Sequence, residues 1–538
     1  MTGAELFVAC LEAAGIDVIF GVPGEENSDL MLALHGSSVR FVLTRHEQSA
    51  AFMASVHGRL TGRPAGCLAT LGPGATNLVT GVADATQDFA PLLAITGQGE
   101  TDRLAVSESH QVVDLTALFA PITKHSQTLM DANDIPGVVA EALRIATAPR
   151  PGAVHLSLPV DVAGQTTDAE PRTVPPPARV VAHADTIRNA ADLMSQAKRP
   201  MIVAGAGVIR AGAADSVATF ATAHDIPLAT TFMGNGILAP DSPLNLGTIG
   251  QPFAEPVDHA AQGADLIVAI GFDPIEMSPT QFASGGLAHV LHMAETPAAV
   301  DLGWHIAGDV VGDLAQSITA LSQMLGGQGW GLFDAAAEAQ ALYSAARNRT
   351  PDAADPDCPV PADILSVVED ALTPDDTVVS GVGLHKLKIA RSLAAKRPGQ
   401  IIIANGLAGM GIALPGAMVA AELRTVGRVF AIVGDGEFLM NVQDMETAAR
   451  LQSPITVLLW EDGGYGLIEE KQAVEEGSHV DLSFGNPGWA DLCRAFGWAH
   501  KSVDRLSGLA SALRSSRDHD GPLLITMKVD YSDGMGAD

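Results

Sequence analysis

The sequence contains few aromatic residues and few basic ones. Of its 538 residues only 4% are aromatic, and 31 Lys and Arg are outnumbered by 62 Asp and Glu, which gives a formal net charge of −31. A protein that binds the phosphate backbone of a nucleic acid needs the opposite balance, so that function class is disfavoured. An anionic ligand must therefore be held by local devices, such as a metal ion, helix N-termini or a few cations.

Cysteine is scarce as well. The four cysteines, Cys10, Cys67, Cys358 and Cys493, lie far apart and form no CxxC pair. Neither a disulfide framework nor a zinc knuckle is predicted from this spacing. The N-terminus has no basic stretch ahead of an apolar one, which argues against a secretory signal. We therefore predict a soluble, cytoplasmic protein.

One uncharged run, residues 401–421, is long enough to span a bilayer. It contains Asn405, Pro415 and four glycines. These residues favour a strand, a loop and a buried helix over a membrane-spanning segment, so no membrane partner is predicted.

Apolar residues and glycine are abundant. Hydrophobic residues make up 47% of the chain, with 55 Gly and 32 Pro. Short apolar strands alternate with helical patterns, which indicates parallel sheets covered by helices on both faces. Two proline-rich stretches, 170–180 and 348–361, divide the chain. We predict an α/β protein of three doubly wound parallel-sheet domains, at residues 1–169, 181–345 and 362–538.

Two neighbouring predicted strands end in acidic, glycine-rich turns. Gly434, Asp435 and Gly436 end one strand and open a helix, so backbone N–H groups can approach a phosphate there. Asp462 ends the next strand and precedes the glycine-rich loop that contains Gly464. Two carboxylates and a loop carbonyl are ligands that Mg²⁺ takes beside a diphosphate. Residue types alone leave two ordinary strand-end turns as an open alternative.

Glu47 is a second candidate, because it enters a helix directly after the strand at 41–44. Such an acid is either a carboxylate stabilised by the helix N-terminus or a buried catalytic group with a perturbed pKa. The residues alone favour the first interpretation.

Taken together, these segments resemble the thiamine-diphosphate-dependent enzymes, and within them the acetolactate synthase branch. The GDG at 434–436, followed by Glu461-Asp462 and then Tyr465-Gly466, is similar to the cofactor motif of that family. The resemblance continues in the segments at 21–30 and 70–85 and extends over nearly the whole chain.

The resemblance implies a role for each candidate residue. Asp435, Asp462 and the Gly464 carbonyl would ligate Mg²⁺, and Glu47 would hydrogen-bond the aminopyrimidine ring and promote its imino tautomer. Gln111 would lie near the reacting carbon. The implied cofactor contacts are Gly434, Gly436, Glu437, Gly409, Met410, His385, Tyr465, Gly466 and Asn77.

Among these, Met410 would hold the cofactor in its bent shape, an orientation effect, although a methionine more commonly fills a core. Gly381 stands where the family often has an acid, so that contact would be missing. Glu469 and Glu470 stand where the family commonly has uncharged or aromatic residues. Adjacent glutamates favour solvent-facing positions, and otherwise they would mark an unusual acceptor.

The activity implied by the resemblance is decarboxylation of pyruvate and transfer of the two-carbon unit to a second 2-oxo acid, which gives acetolactate. In that family Glu47 of one chain serves the cofactor bound to the last domain of another, so a homodimer or homotetramer is implied. A related 2-oxo acid decarboxylase, or a flavin-dependent pyruvate oxidase on another substrate, stays open as the alternative.

A dinucleotide dehydrogenase is the competing hypothesis for the middle of the chain. Gly205 and Gly207 follow a strand, and Asp225 comes twenty residues later. Arg210 replaces the third glycine, however, and Asp225 precedes a strand instead of ending one. In the resembling family this domain sometimes holds FAD, and the sequence leaves that possibility open.

Overall fold

The computed structural model describes residues 1–104, 106, 109–175, 177–250, 255–280, 289–300, 303–349, 351 and 356–532. These residues form three six-stranded parallel sheets, each with hydrophobic clusters on both faces. The predicted fold class is therefore confirmed. The second predicted linker, 348–361, includes residues 350 and 352–355, which lie outside the described residues. The domain boundaries at 1–169, 181–345 and 362–538 stay predictions.

The first sheet lies within residues 18–159. Its strands are β1 (Val18–Gly21), β2 (Arg40–Leu43), β3 (Ala65–Ala69), β4 (Leu92–Gln98), β5 (His125–Thr128) and β6 (Ala153–Pro159). The helices of this part are α1 (Gly3–Ala13), α2 (Ser28–His35), α3 (Glu47–Thr61), α4 (Pro73–Gln87), α5 (Leu115–Phe119), α6 (Ile135–Thr147) and α7 (Val160–Gly164). The spatial order of the strands is β2-β1-β3-β4-β6-β5.

The second sheet follows in the middle of the chain. Its strands are β7 (Pro200–Ala204), β8 (Leu228–Thr230), β9 (Asn245–Thr248), β10 (Leu266–Ile270), β11 (His289–Ala294) and β12 (Ile306–Val311). The described helices here are α8 (Ala184–Gln196), α9 (Ala206–Arg210), α10 (Ala214–Ala223), α11 (Pro256–Gly263), α12 (Leu314–Leu325) and α13 (Asp334–Arg347). The strand order is β12-β11-β10-β7-β8-β9.

The third sheet completes the fold. Its strands are β13 (Thr377–Ser380), β14 (Ile401–Ile403), β15 (Val429–Gly434), β16 (Ile455–Glu461), β17 (Ala499–Ser502) and β18 (Leu523–Lys528). Its helices are α14 (Pro361–Ala371), α15 (Leu384–Ser392), α16 (Ala413–Leu423), α17 (Asp435–Met440), α18 (Met445–Arg450), α19 (Gly466–Glu476), α20 (Trp489–Phe496) and α21 (Leu506–Ser516). The order β14-β13-β15-β16-β18-β17 repeats that of the first sheet.

The strand orders locate the ligand-binding edges of the three sheets. In an open parallel sheet, ligands bind beyond the carboxyl ends of the strands, at the point where the strand order reverses. That point lies between β1 and β3 in the first sheet, between β7 and β10 in the second, and between β13 and β15 in the third. The helices that follow β13 and β15 have His385 and Asp435, two of the predicted site residues, in their first turns.

The uncharged run 401–421 does not form one long helix. It divides into β14, a loop and most of α16, as the sequence predicted. Among the helices that the structure describes, none combines the length and the apolar character needed to cross a bilayer.

One loop connects all three parts of the chain. Asp88, which follows α4, accepts hydrogen bonds from the backbone N–H groups of Asn405 (3.3 Å) and Gly406 (2.7 Å). The Asn405 side-chain amide donates to the carbonyl of Glu276 in the middle part at 2.9 Å. The first and third parts also share one hydrophobic core, in which α3 packs against α16. The loop after β14 is therefore held in place by contacts with the first and middle parts of the chain.

Candidate active site

Asp435 holds together the turns at the ends of β15 and β16. It is 1% exposed, and its Oδ2 accepts hydrogen bonds from the backbone N–H groups of Gly463 (2.8 Å) and Asp462 (3.2 Å). The side-chain amide of Asn486 donates to the same oxygen at 2.7 Å. Two carboxylates from neighbouring strands are thus brought to one corner, as the sequence predicted from their positions.

That corner opens into a cavity of about 820 Å³, which Asp462 and Gly464 line. Partial burial of the Asp462 carboxylate and the nearby charge of Asp435 raise the pKa of Asp462 to about 7. Two carboxylates this close repel each other unless one is protonated or a cation lies between them. The described residues offer no cluster of three or more His, Cys, Asp or Glu side chains for a metal. Two carboxylates beside a loop carbonyl nevertheless fit Mg²⁺, which commonly takes one or two carboxylates and completes its shell with phosphate and water.

Beside the carboxylates, two buried polar atoms have no partner. His385 Nε2 and Glu437 Oε2 lie 3.9 Å apart, and neither has a hydrogen-bond partner among the described residues. Burial lowers the pKa of His385 to about 3 and raises the pKa of Glu437 to about 8, so neutral forms of both are favoured at neutral pH. Buried polar groups in native proteins are almost always satisfied. A polar ligand group at the edge between β13 and β15 would satisfy these two, which fits a bound diphosphate.

Glu437 occupies the space that a side chain at position 381 would need. A Cβ on Gly381 would overlap Glu437 Oε2 and lie 2.7 Å from His385 Nε2. Glu437 is anchored on its other side, where Oε1 accepts hydrogen bonds from the N–H groups of Gly411 (3.1 Å) and Ala413 (3.3 Å). The sequence suggested that an acidic contact is missing at Gly381. The structure places the Glu437 carboxyl group at that position in space.

Gly381→Ala is accordingly expected to destabilise this corner. The new methyl group must displace the Glu437 carboxyl from its anchored position, and such overpacking costs about 1–3 kcal/mol. We expect a clearly lower thermal midpoint than in the wild-type protein, measured by circular dichroism. Gly485→Ala is the matched control, because a Cβ there meets no atom within 4 Å. Equal midpoints for the two variants would contradict the packing argument.

Glu47 begins α3, and His46 caps the helix by accepting from the Gln48 N–H at 3.0 Å. The Glu47 carboxylate is half-buried, and its Oε2 accepts from the Asn77 side-chain amide at 3.0 Å. Gln111 lies in an exposed loop with φ of +58°. Its backbone carbonyl and Cβ pack over Gly72 at the start of α4. Three predicted residues of the first part therefore lie around the start of α4. Asn77 on α4 binds Glu47, and Gln111 packs over Gly72, which directly precedes α4.

The loop with Gly409 and Met410, in the third part of the chain, contacts α3 of the first part. A Cβ on Gly409 would lie 3.1 Å from the ring of Phe52 on α3. Gln48 Nε2 lies 3.4 Å from the Met410 carbonyl, which accepts its hydrogen bond. Met410 itself is half-buried and is therefore not core filling.

Tyr465 and Gly466 lie over the glycine-rich turn. The Tyr465 ring packs on Phe484, with ring centroids 5.4 Å apart. A Cβ on Gly436 would be 3.1 Å from Tyr465 Cε1, and one on Gly434 would be 3.1 Å from His385 Nδ1. Both glycines are therefore covered by site residues, and the Gly436 N–H donates to Asp435 Oδ1 at 2.8 Å.

The residues of the first part do not line the cavity beside Asp462. The lining residues all come from the last third of the chain, from Cys358 to Tyr531. Glu47 and Gln111 therefore lie outside this cavity within one chain.

Glu469 and Glu470, which favoured solvent-facing positions in the sequence, line the cavity instead. Glu469 Oε1 accepts from the Leu482 N–H at 2.6 Å, so this carboxylate fixes the segment that covers the cavity. Lys471 is exposed and pairs with Glu475 at 3.8 Å. The two glutamates make this side of the cavity acidic.

Sequence reasoning missed two residues of the site. Asn486 binds Asp435 and keeps its buried Oδ1 without a partner. Trp489 donates from Nε1 to Glu461 Oε2 at 2.7 Å, so this carboxylate oxygen is already engaged. The only signal for Asn486 was the Asn-Pro pair at 486–487, which marks a turn but not the strand that the turn faces.

Three segments of the chain match a known enzyme family. Residues 1–118 match the thiamine pyrophosphate enzyme N-terminal TPP binding domain. Residues 187–321 match the central domain of those enzymes, and residues 381–527 match their C-terminal TPP binding domain.

Similar proteins extend over almost the full chain. Acetolactate synthase of Bacillus subtilis is 32% identical over 541 residues, which cover 99% of this chain and 94% of the relative. Acetolactate synthase isozyme 2 large subunit of Escherichia coli is 32% identical, with 98% and 96% covered. A probable acetolactate synthase large subunit of Methanococcus aeolicus is 30% identical, with 99% and 93% covered.

Proposed function

Because this chain belongs to the thiamine pyrophosphate enzymes, we propose that it forms acetolactate from two 2-oxo acids in a thiamine-diphosphate-dependent reaction. The donor is pyruvate, and the simplest acceptor is a second pyruvate. The observation that carries this proposal is the corner in which Asp435 binds the turn that bears Asp462. The acetolactate synthases described above are similar to this chain over nearly its whole length, which also supports the proposal.

In this proposal the last domain holds the cofactor. Asp435, Asp462 and the Gly464 carbonyl would hold Mg²⁺ beside the diphosphate. His385 Nε2 and Glu437 Oε2, which have no partner among the described residues, would bind the diphosphate as well. Further contacts come from residues that surround the glycine turn or the Met410 loop: Gly434, Gly436, Gly409, Met410, Tyr465 and Gly466.

The chain's own residues prepare the reaction. When bound, thiamine diphosphate supplies the electron sink for loss of carbon dioxide from the donor. Glu47 would exchange a proton with a ring nitrogen of the cofactor, and the Asn77 amide holds its carboxylate through Oε2. Gln111 would lie near the reacting carbon.

We further infer a homodimer or homotetramer in which Glu47 of one chain acts on cofactor held by another. Among the described residues of one chain, the cavity beside Asp462 is lined by residues of the last third, which leaves room for a contribution from a second copy. A cytoplasmic location belongs to the same proposal, since the thiols of Cys10, Cys67, Cys358 and Cys493 are all free, as expected in a reducing compartment.

The test is one assay with two products. Purified protein is incubated with pyruvate, thiamine diphosphate and Mg²⁺, and carbon dioxide and acetolactate are measured in the same sample. We expect both products, and neither when cofactor and Mg²⁺ are omitted. Carbon dioxide with acetaldehyde or acetate would favour a decarboxylase or a flavin-dependent oxidase instead. Cofactor binding without any product would agree with the family assignment but would reject pyruvate as the donor.

A further inference from the structure

The second sheet has the topology of a dinucleotide-binding domain. Read from its other edge, its order β9-β8-β7-β10-β11-β12 is the 3-2-1-4-5-6 order of nucleotide-binding sheets. In such sheets the ligand lies across the crevice between the first and fourth strands, here β7 and β10. Gly205 and Gly207 follow β7 at that position. The topology thus predicts a site for a dinucleotide such as FAD.

The backbone closes this crevice. Gly207 N–H donates to the carbonyl of Gly271, which follows β10, at 2.9 Å. A Cβ on Gly205 would lie 2.6 Å from that carbonyl oxygen, and one on Gly207 would lie 2.7 Å from it. The loops after the two strands therefore touch, and no gap for a diphosphate remains between them.

A carboxylate of the chain itself binds the donors that face the crevice. Glu276 Oε1 accepts from the N–H of Ala206, the first residue of α9, at 2.9 Å. Glu276 Oε2 accepts from the N–H of Met233 at 3.3 Å. Phosphate oxygens bind just such a helix-terminal N–H group in dinucleotide sites. The carboxylate has the same charge sign and hydrogen-bonding character as the phosphate that it replaces.

The space next to the crevice is small, and a basic side chain there is already engaged. The cavity beside Gly207 measures about 40 Å³, which is room for about one water molecule. Arg150 pairs with both oxygens of Asp273 at 3.1 Å. Its guanidinium and that of Arg210 stack on the ring of Phe89, at 4.6 and 5.1 Å from the centroid.

We propose that the central domain of this chain is closed to FAD and other dinucleotides, because the Glu276 carboxylate takes the place of the dinucleotide's diphosphate. Glu276 also accepts from the Asn405 amide through its backbone carbonyl. Glu276 thereby connects the closed crevice to the loop after β14, which contains Met410. In this proposal the domain keeps the topology of a nucleotide-binding domain but has a structural role. This inference goes beyond the proposed reaction and does not depend on it.

The first test measures flavin content and needs no turnover. The full-length protein, purified with and without incubation in excess FAD, thiamine diphosphate and Mg²⁺, is gel-filtered and denatured. Released flavin is then read by fluorescence, with a known FAD enzyme as the positive control. We expect no retained flavin in either preparation. Flavin approaching one per chain in either preparation would overturn the proposal.

A second test asks whether Glu276 has the stated role. Glu276→Ala leaves the Ala206 and Met233 N–H groups without an acceptor, so its thermal midpoint should fall by several degrees. Glu276→Gln keeps one acceptor and should lose less. Glu295→Ala is the matched control, since Glu295 lines the cavity beside Gly207 and accepts no hydrogen bond among the described contacts. A midpoint for Glu276→Ala equal to that of Glu295→Ala would reject the role of Glu276.

Discussion

Glu47→Gln is expected to lower the rate of acetolactate formation by about 10²–10⁴-fold, the usual contribution of a positioned acid–base group. The glutamine keeps an oxygen that can accept from the Asn77 amide, so the start of α3 should stay folded. It cannot exchange a proton, and product formation is lost for that reason. The measurement is the steady-state rate with pyruvate, together with thiamine diphosphate binding by fluorescence titration.

The control for this variant is Glu141→Gln. Glu141 is exposed and pairs only with Arg144 on its own helix among the described contacts, so its activity should equal that of wild type. Cofactor affinity of Glu47→Gln should change much less than its rate, because the diphosphate and metal contacts lie on other elements. A variant that retains most of its rate would exclude Glu47 as the proton-transfer group.

Asp435→Asn is expected to weaken binding of Mg²⁺ and thiamine diphosphate by about a hundredfold or more, equivalent to about 2.7 kcal/mol. The change removes one of two carboxylate charges, and the new amide nitrogen meets donors at Gly463 and Asn486. Both effects act against the cation and loosen the turn that bears Asp462. Isothermal titration of Mg²⁺ and cofactor into the purified variant measures the loss.

Asp530→Asn provides the comparison, because Asp530 lines the cavity beside Asp462 and carries the same charge as Asp435. If only the total negative charge near the cavity determined affinity, the two variants would bind Mg²⁺ and thiamine diphosphate equally weakly. We expect near wild-type affinity for Asp530→Asn, since its carboxylate accepts from the Ser532 N–H rather than from the turns at Asp435. Equal losses in both variants would contradict a specific metal corner.

The sequence predicted those parts of the fold that rest on local pattern. β15 and β16 are apolar runs that end in acidic or glycine-rich turns, and both were recognisable because buried parallel strands need apolar residues on both faces. β5 (HSQT) and β17 (AHKS) carry no such run. Both are edge strands, where one side is not covered by a neighbouring strand and polar residues are tolerated.

The site was predictable where neighbouring strands supply the chemistry and not where elements distant in the chain meet. Asp435 and Asp462 could be placed together because neighbouring parallel strands end at one edge. The contact of Asn486 with Asp435 spans 51 residues, and no local pattern announces it. The overlap of Gly381 with Glu437 likewise depends on how β13 and β15 are aligned, which composition does not determine.

The loop that begins at Asn405 limits how this protein can be recombined with its relatives. Its backbone binds Asp88, its side chain binds the Glu276 carbonyl, and Lys386 Nζ reaches its Oδ1 at 3.1 Å. A chimaera that takes one domain from a relative cuts across this three-way junction wherever the crossover is placed. The junction residues must be exchanged as a set, even though they are separated by more than 300 positions in the chain. For recombination, the junction residues of all three parts therefore have to be treated as one unit, and a single domain cannot be exchanged independently of them.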